Sequence, residues 1–63
     1  SYMNNEEKAK LYERFVSEYH RLDNEIGQVK MNNFEILPED QAKIDLLEKK
    51  KTYILGRMKG FNQ

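Results

Sequence analysis

Apolar residues fall at alternating steps of three and four along two stretches of the chain. In the first they are Tyr12, Phe15, Tyr19, Leu22, Ile26 and Val29, with Leu11 and Val16 widening the stripe on either side. This is the a/d spacing of a helix packed on another helix, and no window alternates with period two long enough to compete as a strand. The second stripe is Ile44, Leu47, Ile54, Met58 and Phe61, with Leu55 alongside and Lys51 in the one slot where an apolar residue is missing. The spacing predicts helices over about 4–32 and 38–59.

The ends of both helices are marked. Asn4 suits an N-cap, with Glu6 and Glu7 in a first turn that favours negative charge, and Asn4 with Glu7 approximates a capping box. Gly27 costs about 1 kcal/mol against alanine without ending a helix. Asn32 and Asn33 tolerate the turn geometry that closes one. Leu37 is pushed toward extended geometry by Pro38, which fits a first helical position ahead of Glu39 and Asp40. Gly60 offers a C-terminal stop. The connection, about 33–37, is apolar for a loop, and we expect Phe34, Ile36 and Leu37 to fold over the end of the hairpin as a plug. Met3 reads as a native start preceded by Ser1 and Tyr2.

Antiparallel pairing gives one simple register, in which facing positions sum to 73. Val29 meets Ile44, Ile26 meets Leu47, Leu22 meets Lys51, Tyr19 meets Ile54, Phe15 meets Met58, and Tyr12 meets Phe61. The expected fold is all-α: a single domain over 1–63, an antiparallel two-helix hairpin that pairs with a second copy into a four-helix bundle or coiled-coil assembly. The expectation of a partner comes from size. Sixty-three residues with no cysteine cannot be stapled by disulfides, and so small a chain buries only about 60% of its unfolded surface.

Charge changes the picture in one respect. The total is neutral, eleven basic against eleven acidic, but residues 1–40 carry nine acidic and five basic side chains and residues 41–63 two acidic and six basic. Antiparallel packing brings these opposite halves together, which accounts for the asymmetry. The other use of the basic half is a phosphate-binding patch of Lys49, Lys50, Arg57 and Lys59, with Lys51 nearby. These residues spread around the helix with no aromatic platform between them, so one chain makes a poor nucleic-acid surface, although two chains could pool their charges. Lys51 reads either as a snorkelling side chain in the seam or as a polar position that fixes register, with Glu18 or Glu25 as its acceptor.

Nothing in the sequence points to catalysis, a metal or a cofactor. Cysteine is absent, His20 is the only histidine and lies near the edge of its helix, and no HExxH, EF-hand, GxSxG, GxGxxG or Walker sequence occurs. The carboxylate pairs Glu6/Glu7 and Glu39/Asp40 are explained as helix starts. No apolar run approaches the roughly 20 residues of a membrane span, so a cytoplasmic chain without membrane or small-molecule partners is expected. Leu46 and Tyr53 fall opposite the second stripe, and Tyr12 and Val16 extend the first beyond what one facing helix covers. These four are the candidate contact surface for a second copy or a larger protein.

The stretch Glu18-Tyr19-His20-Arg21-Leu22-Asp23-Asn24-Glu25-Ile26, followed by Leu47-Glu48-Lys49-Lys50-Lys51 and an apolar helix end, resembles the YdcH-like small bacterial proteins. The likeness covers about residues 11–59. Thr52 stands where that family favours leucine, and Leu55-Gly56-Arg57 where it favours Lys-Asp-Glu. The resemblance implies a helical hairpin without assigned catalytic residues, in a bacterial or phage setting.

Overall fold

A computed structural model describes residues 3–32 and 34–61. It contains two helices, α1 (Asn5–Asn32) and α2 (Pro38–Gly60), packed against each other as an antiparallel hairpin. Ser1 and Tyr2, the residues ahead of the expected start, lie outside the described residues, as does Asn33 of the loop.

The helix starts form by the expected chemistry. The Asn4 side-chain carbonyl accepts from the Glu7 amide at 2.8 Å, and the Asn4 backbone carbonyl from Lys8 at 3.0 Å. The first contact satisfies a donor that the first turn would otherwise leave open, and the second is the first hydrogen bond of the helix ladder. At α2, Leu37 is extended (φ −77°, ψ 161°) before Pro38, and the Asp40 carboxylate accepts from the Leu37 amide at 3.2 Å. The C-terminal end falls where the sequence offers a stop: Gly60 is the last helical residue, and Phe61 follows with φ −76° and ψ −15°. The Phe61 amide donates to the Met58 carbonyl at 3.1 Å. Its ring lies 5.9 Å from both Tyr12 and Phe15, so aromatic packing carries the right-handed path one residue past the glycine.

Among the described residues five make the core: Leu22, Ile26, Ile44, Leu47 and Ile54. Phe15, Tyr19, Val29 and Met58 pack against them half-buried. All nine belong to the seam predicted from spacing. The register holds at the open end, where Tyr12 meets Phe61 edge-on, and in the middle, where Lys51 reaches Asp23, the neighbour of Leu22.

The apolar loop does not plug the hairpin. Phe34 is fully exposed, and Ile36, Leu37 and Met31 are exposed as well. The reason is chain length. Five residues join Asn32 to Pro38, and the extended approach to the proline leads straight into α2 without slack to fold back. Phe34→Ser should therefore leave the unfolding free energy from urea titration within about 0.5 kcal/mol of the parent, the ordinary range for surface changes. A large loss would show that the ring is buried in solution.

Candidate functional site

Among the described residues Lys51 is the one charged residue that the fold sets into the seam. Its side chain is 14% exposed, and its Nζ lies 2.7 Å from an Asp23 carboxylate oxygen and 5.0 Å from the centre of the Tyr19 ring. Spacing points to Glu18 or Glu25 as the acceptor, and the structure corrects this: the partner is Asp23. Those two carboxylates lie on the other flank of α1, where Arg21 takes both: its Nε donates to Glu18 at 2.9 Å and its terminal nitrogens reach Glu18 and Glu25. With that flank committed, the Lys51 stem crosses Tyr19 to the side that carries Asp23. The lysine thus packs its methylenes in the seam and places its ammonium at the rim.

Both members of the pair titrate accordingly. The hydrogen bond from Lys51, and then its charge, hold the Asp23 carboxyl below the usual aspartate range. The hydrogen bond to Asp23 raises Lys51 against the opposing effect of desolvation. Arg21 holds Glu18 down in the same way. A depressed carboxylate adds stability above its unfolded pKa and loses it as pH falls through the folded one. The hairpin should hence weaken below about pH 4, and Asp23→Asn should lose less stability than the parent between pH 7 and pH 3. Urea midpoints at the two pH values test this, and equal losses would show that Asp23 carries no part of the acid sensitivity.

The candidate contact residues do not share one face. The Lys51–Asp23 bridge identifies one flank of the hairpin and the Arg21 cluster the opposite one. With 3.6 residues per turn, Tyr12 and Val16 fall on the Asp23 flank together with Leu55 of α2. Leu46 and Tyr53 fall on the outer side of α2, turned toward the Arg21 flank. Tyr53 is 64% and Leu46 54% exposed, while Tyr12 and Val16 are half-buried and Leu55 is 39% exposed. Leu55, placed beside the seam in the sequence pattern, is thus a surface member of the Tyr12 and Val16 group. Its heptad position hid this, because the flank on which a residue falls depends on the sense in which the two helices pair.

The proposed basic patch is dispersed. Arg57 lies over the Phe15 ring at 5.8 Å, and Lys50 sits on the same flank, close enough to lower the Glu18 carboxyl. Lys49 projects from the outer side of α2, and Lys59 lies on the Asp23 flank. His20 is exposed, with its ring edge-on to Tyr19 at 5.8 Å. Among the described residues no group of three or more His, Asp or Glu side chains is placed to hold a metal ion. None of the described helices is long and apolar enough to cross a membrane.

No protein-family model, curated protein or solved structure matches the chain. The likeness to the YdcH-like proteins rests on its two residue blocks alone.

Proposed function

We propose that this chain is a non-enzymatic protein–protein interaction module, a helical hairpin that associates with a second copy of itself. The observation that carries the reading is the mismatch between its core and its surface. Among the described residues five side chains are buried, while eight large apolar residues are exposed, among them Leu55 beside the half-buried Tyr12 and Val16. The chain exposes 5354 Å², against about 4,300 Å² for a compact monomer of this mass. The surplus, about 1,000 Å², is of the size that one partner contributes to a standard interface, about 800 Å².

Two helices cannot wrap each other closely enough to remove that surplus, because each offers the other only one side. A second hairpin covers another side of both helices at once and completes a four-helix bundle. A patch for nucleic acid would need residues pooled from two chains, so that reading also passes through association. Sedimentation equilibrium over a wide concentration range, with far-ultraviolet circular dichroism on the same samples, tests the proposal. We expect a helical dimer that dissociates on dilution. A monomer of unchanged helicity at every concentration would overturn it.

A further inference from the structure

Resting on the self-association reading, we propose that the second copy docks on the Asp23 flank, with α1 of each chain lying over α2 of the other and both loops at the same end. Area restricts the choice first. The hairpin measures 47 × 16 × 15 Å, so a long side presents about 750 Å² and an end about 240 Å², and only a long side approaches the roughly 800 Å² per partner of a stable interface. The exposed loop at the hairpin's end is too small for this purpose, and pairing two such ends would also set Glu35, Glu39 and Asp40 against their own copies.

Charge then chooses among the long sides. The Arg21 flank carries Arg14, Glu18, Arg21 and Glu25 from α1, facing Lys43, Lys50 and Arg57 from α2, and burying that row would strip water from seven charges. The outer side of α2 holds Leu46 and Tyr53 but is one helix wide and flanked by Lys49 and Lys50. On the Asp23 flank the positions are Ala9, Tyr12, Val16 and Gly27 on α1, with Leu55 on α2. Asp23 is already neutralised there by Lys51, and with Glu48, Lys59 and Lys30 this flank carries five charged side chains against the seven of the Arg21 flank. The glycine and alanine let backbones approach, and no side chain of this chain occupies the space beside Gly27.

The direction of the second copy follows from where the apolar residues sit. Ala9, Tyr12, Val16 and Leu55 all belong to the half of the hairpin nearer Phe61. A two-fold axis along the hairpin stacks this half on its own copy, and places Val16 over the partner's Leu55 within about two residues of level register, or about 3 Å. An axis across the hairpin would set the same half against the partner's Lys30 and Gln41.

The test is a charge-pair rescue read by sedimentation equilibrium. Leu55→Glu and Val16→Lys should each weaken the dimer about 30-fold or more, as expected at the centre of an interface. The chain that carries both substitutions should recover most of the loss, because each new carboxylate then meets a new ammonium across the two-fold axis. Tyr53→Asp should leave the dissociation constant unchanged. If the wild type dimerises but Tyr53→Asp dissociates it while Leu55→Glu does not, the face is wrong and self-association stands. Singles that dissociate without rescue in the double variant overturn the stacking of α1 over α2. A wild type that is monomeric throughout removes both this arrangement and the reading beneath it.

Discussion

Leu22→Ala should leave the chain largely unfolded at 25 °C. Leu22 is the most deeply buried side chain, 1% exposed, and it packs in one cluster with Ile26, Ile44, Leu47 and Ile54. Replacing a buried leucine by alanine costs about 2–5 kcal/mol, the spread depending on how far the site collapses around the missing atoms. A hairpin has no third layer to close over the gap, so the upper half of that range applies. A chain of 63 residues has a stability of about 3–9 kcal/mol by the usual per-residue figure, and one with five buried residues belongs at the lower end. The loss and the whole stability are then of the same size. Urea titration followed by circular dichroism should show a wild-type transition and little or none in the variant. Two controls fix the meaning: Leu22→Met, which keeps the volume, should cost less than about 1.5 kcal/mol, and Leu46→Ala, at an exposed position, less than about 1 kcal/mol. If Leu22→Ala and Leu46→Ala shift the midpoint equally, the core lies elsewhere.

What spacing could disclose, and what it could not, follows from the same two helices. The three-and-four rhythm reports which side of a helix is apolar, and every buried residue was legible from it. The sum-73 register was also legible, because one apolar stripe laid antiparallel on another has few ways to match Tyr12 with Phe61 and Ile26 with Leu47. Flank was not legible. Whether a residue beside the seam lies with Asp23 or with Arg21 depends on the handed arrangement of two antiparallel helices, and spacing along either one is blind to it. For that reason spacing offers Glu18 and Glu25 as partners for Lys51 and sets Val16 with Leu46 and Tyr53 on a single surface. The loop misled for a different reason. Apolar composition favours burial, but Phe34 and Ile36 hang on a five-residue connection whose path is set by Pro38, and the backbone constraint wins over the side-chain preference.

Gly27→Ala and Gly56→Ala should each stabilise the isolated hairpin by about 1 kcal/mol, the difference in helix propensity between the two residues in a helix interior. Both glycines are inside regular helix, no described residue of the chain needs a left-handed conformation, and a methyl group added at either meets nothing within 4 Å. The gain comes chiefly from the unfolded chain, which loses conformational freedom when the Cβ is added. Gly60 has the same open surroundings, but it sits at the last helical position, where ordering is incomplete, so its alanine variant should gain much less. For a domain near this size, 1 kcal/mol corresponds to about 4–8 °C in melting temperature, well within reach of a thermal scan at concentrations where the chain is dissociated. The order Gly27 and Gly56 well above Gly60 is the signature of propensity acting alone. Raised concentration adds a second comparison. Gly56 points away from the Asp23 flank and should keep its full gain in the associated protein, whereas Gly27 lies on that flank and should lose part of it, because the new methyl group occupies space that a second backbone would approach. Equal gains for Gly27 and Gly56 in the dimer would mean that no second chain comes close to Gly27.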